Sequence, residues 1–176
     1  MKRTLSLLSL VLTLAILLAA CGAPANNTPA AEVFTGSSAE ALEELLATMK
    51  LDIMSFSDPV TAENVTGLLG LTTTDFDKYV IDATSSVAAI STHAHQVSAV
   101  QCNNPEDAKA VKELISKGFD SGRWICVAPD ESFVVEVGSY VFLVASIGEN
   151  VQIAKDAVNT LAGDAAGEFH VFFSGR

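Results

Sequence analysis

Three histidines are the residues of this chain whose chemistry best suits a metal ion. His93 and His95 are two positions apart, so on a β-strand both side chains would point to the same face. If the last predicted strand, which carries His170, lies beside that strand, three neutral imidazoles could bind Zn²⁺ or Cu²⁺. The alternative is that the histidines are polar residues near strand starts and are exposed to water.

Cys102 and Cys126 are two thiols that could form a disulfide outside the cytoplasm. A disulfide requires Cα atoms within ~7 Å of each other. Cys102 ends a predicted strand, and the helix that follows takes the chain to the opposite edge. Cys126 can therefore approach Cys102 only if the connection over residues 119–132 comes back to the end of that strand. Pairing of the two thiols stays open. A nucleophilic pair of Cys102 with His95 is excluded, because seven residues of strand separate them by about 20 Å.

A third cysteine, Cys21, stands between an apolar run and a polar segment that contains prolines. A Lys-Arg pair at positions 2–3 precedes the apolar run over residues 5–20, and small residues end it, which is the layout of a secretory signal. A membrane-spanning helix needs ~20 apolar residues, and this run is shorter and has polar interruptions. The tetrapeptide Leu18-Ala19-Ala20-Cys21 resembles the bacterial lipobox at all four positions.

The lipobox resemblance implies that residues 1–20 are a lipoprotein signal peptide and that the mature chain begins at Cys21. It also implies that the Cys21 sulfur carries a diacylglyceryl group, with palmitate a typical acyl chain. Each acyl CH₂ buried in a bilayer contributes ~0.8 kcal/mol, so two or three chains anchor a protein firmly. We therefore expect the protein at the cell membrane, held by lipid and facing outside the cytoplasm.

The charge of the chain excludes nucleic acid as a partner. The sequence has 10 basic and 21 acidic residues, a net charge of −11, and loss of the signal removes two basic residues to leave −13. Nucleic-acid binding requires a basic face, and anionic lipid would repel this surface. The expected partners are thus the membrane, through the acyl anchor, and a protein of the cell envelope.

Two regions follow the signal. Residues 21–38 are the lipidated cysteine and a stretch of mostly small and polar residues, which predict a flexible tether. Residues 39–176 have the length of a single domain. Its helices start at recognisable caps, because Ser37 and Glu40 have the spacing of a capping box and Asn104 precedes a proline.

From residue 93 onward the predicted order of elements is β-α-β-β-α-β. The elements are a strand over 95–102, a helix over 105–118, strands over 133–137 and 140–146, a helix over 150–161 and a strand over 168–173. This order is typical of the ferredoxin-like fold, in which two helices cover one face of a four-stranded antiparallel sheet. In that fold the first, third and last strands are in contact. The predicted class is therefore α+β, with N-terminal helices before the ferredoxin-like unit.

The stretches LTTTDFDKYVIDATSSVAAISTHAHQVSAVQCNNPEDAKAVKELI and VVEVGSYVFLVAS resemble the bacterial lipoproteins grouped as the domain of unknown function 4358 family. The shared features are a short acidic helix with Tyr79, a strand followed by the helix PEDAKAVKELI, and the turn Gly138-Ser139-Tyr140-Val141. The likeness covers roughly residues 60–162. The chain departs from it at His95 and Gln96, where the family often carries acidic residues. The resemblance implies a lipid-anchored extracytoplasmic protein and carries over no reaction.

Catalytic sequence patterns are absent. No serine lies in a G-x-S-x-G pattern, and the glycines are scattered rather than gathered in a phosphate-binding loop. We therefore predict a membrane-anchored module for interaction or structure, without enzymatic activity and without a cofactor. The alternative is a lipoprotein that binds a small solute, or a metal ion through the three histidines. A hydrolase with an unrecognised site ranks last.

Overall fold

The structure is a computed structural model that describes residues 33–175. The predicted signal peptide, the lipidation site Cys21 and most of the predicted tether lie outside the described residues. Within 33–175 there are six strands: β1 (Ser55–Pro59), β2 (Val80–Ala88), β3 (Gln96–Cys102), β4 (Glu131–Val137), β5 (Tyr140–Ser146) and β6 (His170–Ser174). Five α-helices accompany them: α1 (Ser38–Met49), α2 (Val65–Leu69), α3 (Thr73–Tyr79), α4 (Pro105–Gly118) and α5 (Asn150–Ala162). A 3₁₀ turn over Gly163–Ala165 follows α5.

The predicted helix starts are confirmed. Ser37 caps α1 by accepting a hydrogen bond from the Glu40 backbone N–H, and the Glu40 carboxylate accepts from the Ser37 backbone N–H to complete the capping box. These hydrogen bonds lower the pKa of Glu40. Asn104 caps α4 by accepting from the Asp107 backbone N–H, with Pro105 in the first turn. In both cases a local side-chain pattern is enough to begin the helix.

The strands form one antiparallel sheet in the order β1-β2-β3-β5-β4-β6. The hairpin predicted at Gly138-Ser139 is confirmed: it joins β4 to β5, with Val137 opposite Tyr140 and Gly138 at a φ of 59° that suits glycine. β5 lies in the middle, and all seven of its residues are buried. β1 and β6 are the two edges of the sheet.

Helices cover both faces of the sheet. The alternate β5 residues Tyr140, Phe142 and Val144 belong to the core that α1 and α5 cover. Their neighbours Val141 and Leu143 belong to the core that α2 and α4 cover on the other face. A strand buried on both sides has no polar face, which explains why β5 is an unbroken apolar run.

The structure departs from the ferredoxin-like prediction at the last strand. β6 pairs with β4 rather than with β3, and the other side of β3 is occupied by β2, a segment whose sequence pattern did not predict a strand. The crossovers β3-α4-β4 and β5-α5-β6 therefore both move toward the β6 edge of the sheet. The strands β3 and β4 run in one direction, whereas β5 and β6 run in the opposite direction. Because such crossovers are nearly always right-handed, their helices must lie on opposite faces. The expectation that both helices cover one face is corrected accordingly.

The packed domain also begins earlier than the predicted boundary at residue 39. Phe34 is 4% exposed, and its ring centroid lies 5.6 Å from that of Tyr140 and 5.1 Å from that of Phe142. The Tyr140 hydroxyl donates a hydrogen bond to the Gly36 carbonyl. One aromatic side chain therefore docks residues 33–38 onto the core, although the surrounding residues are small and polar.

Candidate functional site

The three candidate metal ligands are not brought together. His93 is exposed in the loop before β3, and the buried His95 also precedes that strand rather than lying within it. His170 starts β6, which is three strand spacings from β3, or about 14 Å. The first and last strands of the βαββαβ unit are not neighbours, so the geometry that the metal site required is missing. Among residues 33–175, no group of three His, Cys, Asp or Glu side chains could hold a metal ion.

His95 instead forms a buried pair with Ser146. Its Nδ1 lies 2.8 Å from the Ser146 Oγ, and the two residues are 2% and 0% exposed. A serine beside an imidazole has the composition of a nucleophile and its base. No substrate can approach a serine that is fully enclosed, so this hydrogen bond is structural.

Burial of His95 predicts a specific acid sensitivity. Burial first, and the charge of His93 second, lower the pKa of His95 to about 4, whereas an unfolded histidine titrates near ~6.5. Between these values the unfolded chain binds the proton more readily, so stability falls as pH drops from about 6.5 to about 4. The loss from this group is ~3 kcal/mol. Urea unfolding across this range should show a shallower pH slope for His95→Gln.

His170→Gln is the matched control for that experiment, because His170 is a partly exposed histidine at the far edge of the sheet. The change in slope relative to the wild type should be larger in His95→Gln than in His170→Gln. An unchanged slope in His95→Gln would contradict the assignment of a buried neutral imidazole.

The two candidate disulfide cysteines are free and lie apart. Cys102 is buried at the end of β3, and burial together with the Asp107 charge raises the pKa of its thiol to about 12. Cys126 is exposed, in a connection whose Arg123 donates to Gln96 at the opposite end of β3. The length of β3 separates the two ends by about 20 Å, far more than a disulfide spans. The connection does return to the sheet, but to the wrong end.

A polar network lies inside the sheet face covered by α2. The Gln96 side-chain amide donates to the Leu68 carbonyl at 2.7 Å and to the Ser98 Oγ at 3.0 Å, and Ser98 bonds Ser85 at 2.9 Å. The Arg123 guanidinium donates to the side-chain amide oxygen of Gln96, Oε1, at 2.7 Å, and burial lowers the pKa of that guanidinium. The network satisfies polar groups that would be costly to bury alone, and it ties α2 and the 119–130 connection to the sheet.

An apolar groove lies between α1 and the edge strand β1. Its volume is about 590 Å³. Five residues on one side of α1 form the helix wall: Ala39, Leu42, Glu43, Leu46 and Ala47. The sheet wall is formed by residues of β1 and β2, among them Ser57. The groove exists because α1 packs over β2 and β3 and leaves β1 uncovered on that face.

The position of α1 above the sheet is set by its first residue. The Ser38 backbone N–H and hydroxyl donate to the Asp82 carboxylate at 3.0 and 2.7 Å, and the hydroxyl also lies 2.8 Å from the Thr84 Oγ1. A carboxylate beside the first turn of a helix is favoured by the helix dipole. Asp82 therefore fixes the wall of the groove, a role that the sequence alone did not reveal.

Apolar side chains are also exposed on and beside β1. Phe56 is 65% exposed and lies directly opposite Val87 of β2, so both side chains point away from the groove. Met54, just before β1, is 72% exposed, and Ile125 is 81% exposed. Ile125 and Val87 line a second, shallower depression of about 310 Å³. The β1 edge thus carries the groove on one face and exposed apolar side chains on the other.

Comparison of the chain with protein-family models, curated protein sequences and solved structures found no match. Within residues 33–175, no helix is both long and apolar enough to cross a membrane.

Proposed function

We propose that this chain is a bacterial lipoprotein anchored through Cys21, and that its domain is a non-enzymatic interaction module outside the cytoplasm. The observation that carries the anchor is the tetrapeptide Leu18-Ala19-Ala20-Cys21 behind an apolar run. Membership of the domain of unknown function 4358 family is part of the same proposal and rests on the sequence likeness over roughly residues 60–162.

The β1 edge supports the interaction role. Stable monomeric domains protect or interrupt their sheet edges, because an open edge can pair with another chain. Here the edge is flanked by an apolar groove and by the exposed side chains of Met54 and Phe56. Within residues 33–175, the one histidine that is hydrogen-bonded to a serine is His95, and both it and Ser146 are buried in the core. The accessible features therefore suit contact with another molecule better than a reaction.

The solute-binding alternative keeps one supporting observation. The groove volume of about 590 Å³ falls in the usual range of small-molecule sites, roughly 300–1,000 Å³. The metal form of this alternative has lost its ligand set, because His170 is remote from His93 and His95. Native mass spectrometry of the purified chain distinguishes the remaining form, since a resident solute adds a fixed mass that denaturation removes.

Photo-crosslinking in intact cells tests the interaction role. A photoreactive amino acid is placed singly at exposed positions on different faces: Ala47 beside the groove, Phe56 on β1 and Lys109 on α4. We expect irradiation to give a discrete protein adduct from one or two of these faces but not from all three, because a specific partner covers a limited surface. No adduct from any face would contradict an interaction module.

A further inference from the structure

The backbone of β1 carries hydrogen-bonding groups that have no partner among residues 33–175. Ala89 N–H donates to the Met54 carbonyl at 2.9 Å and Val60 N–H donates to the Ala83 carbonyl at 2.8 Å, at the two ends of the β1–β2 ladder. In an antiparallel ladder, alternate residues bond to the neighbouring strand, so Phe56 and Asp58 also face β2. The N–H and C=O groups of Ser55 and Ser57 then point outward from the sheet.

The same alternation puts the groove beside those outward groups. Ser57 is opposite Ser86 and lines the groove on the α1 face, whereas Phe56 and Asp58 point to the other face. A strand added beside β1 would lie ~4.8 Å away and direct every second side chain toward the groove. Its backbone would bond to Ser55 and Ser57 while its apolar side chains filled the groove.

The charges indicate what such a strand carries. Glu43 is the charged residue among those lining the groove, and Asp58 is the charged residue of β1. Both are acidic and exposed, and the whole chain has a net charge of −11. Asp58 points to the face away from the groove, so a segment with lysine or arginine at the positions that do not enter the groove places those charges beside Asp58.

A second copy of the chain fits the edge poorly. Pro59 has no N–H to donate, and its carbonyl accepts from the Asn64 side chain at 3.3 Å, so a β1–β1 pair would lose hydrogen bonds at both ends. Two chains of −11 also repel each other.

We propose that β1 is a docking strand that takes an extended, basic segment of a partner protein by β-strand addition. Its backbone pairs with Ser55 and Ser57, and its alternate apolar side chains occupy the groove between α1 and β1. This inference rests on the interaction role proposed above and names the surface and the chemistry of the partner.

The test uses a labelled peptide, Lys-Val-Lys-Val-Lys-Val-Lys, and the full-length chain in detergent, with binding read by fluorescence anisotropy at low salt. We expect a Kd of about 100 µM or tighter. The same peptide N-methylated at its valines, which removes the edge donors, should bind at least about tenfold more weakly. A glutamate-for-lysine peptide should not bind. Equal binding of the methylated and unmethylated peptides, or no binding by either, would overturn the proposal.

A pair of variants at one position isolates the backbone contribution. Ser57→Pro removes the outward N–H, which β2 does not use, and should weaken peptide binding by about tenfold. Ser57→Ala keeps the N–H and should bind as wild type does. Circular dichroism confirms folding, and should Ser57→Pro fail to fold, the methylated peptide on the wild-type chain still decides. Wild-type affinity in folded Ser57→Pro would contradict strand addition.

Sedimentation tests whether a second copy of the chain occupies β1, and the crosslinking experiment separates failure of the β1 assignment from failure of the interaction role. A dimer at micromolar concentration that Ser57→Pro dissociates would mean that a second copy covers β1, and would overturn the partner assignment. If the peptides fail but a photo-crosslinker at Lys109 gives an adduct in cells, only the β1 assignment fails. If the peptides fail and no face gives an adduct, the interaction role fails as well.

Discussion

Gly118→Ala is expected to lower the free energy of unfolding by ~3 kcal/mol or more, with a fall in Tm of roughly 10 °C. Gly118 ends α4 and packs against Gly70, which ends α2. A Cβ at Gly118 would lie 2.1 Å from the Gly70 carbonyl oxygen. Because the atom it meets belongs to the backbone, no side chain can rotate away, and α2 must move off α4.

Gly70→Ala should cost at least as much. Its Cβ would lie 2.1 Å from the Gly118 carbonyl carbon, and its φ of 72° disfavours any residue with a side chain. Gly67→Ala is the matched control, because a Cβ there meets nothing within 4 Å and the site lies inside α2. That substitution should be neutral or stabilise by ~0.5–1 kcal/mol. Thermal unfolding of the three variants measures the difference, and similar Tm values for Gly118→Ala and Gly67→Ala would contradict the close contact.

Features that depend on neighbouring residues could be predicted from the sequence. The caps at Ser37 and Asn104 and the turn at Gly138-Ser139 are decided by a few consecutive side chains and are present as predicted. The predicted helix over 105–118 ends at Gly118, as α4 does, and Gly70 ends α2. Their contact with each other could not be predicted, because it joins positions 48 residues apart.

The strands β1 and β2 were missed because their side chains do not alternate in polarity. β2 reads VIDATSSVA, and its polar residues are bonded rather than solvated: Asp82 and Thr84 bond Ser38, and Ser85 bonds Ser98. A polar residue with a partner elsewhere in the chain looks like a loop residue in the sequence. Without β2, the free side of β3 was assigned to the last strand, and that error produced both the ferredoxin-like order and the histidine cluster.

The candidate site was beyond prediction for the same reason. The groove lies between a helix and an edge strand whose neighbour was not identified, and exposed apolar residues such as Phe56 are recognisable only once burial is known. Residues 55–59 contain few apolar side chains, so the sequence indicates only that this segment is not buried.

Cys21→Ser is expected to remove the protein from the lipid bilayer almost completely. The proposed acyl chains each contribute ~0.8 kcal/mol per buried CH₂, whereas a net charge of −13 on the mature chain offers no attraction to anionic lipid. In cells grown with an alkyne fatty acid, the wild-type chain should be labelled and should stay with membranes after an alkaline wash. Cys21→Ser should lose the label and its resistance to the wash.

Cys126→Ser is the control for thiol chemistry in general, since Cys126 is an exposed thiol within the domain. It should keep both the label and the membrane association. Label retained by Cys21→Ser, or lost by Cys126→Ser, would contradict anchoring at Cys21.

The most direct measurement is mass spectrometry of the mature N-terminus after cleavage at Glu32 with a glutamate-specific protease. We expect a peptide of residues 21–32 whose first residue, Cys21, carries the mass of a diacylglyceryl group. A mature chain that starts at another residue, or an unmodified cysteine at its start, would contradict this expectation.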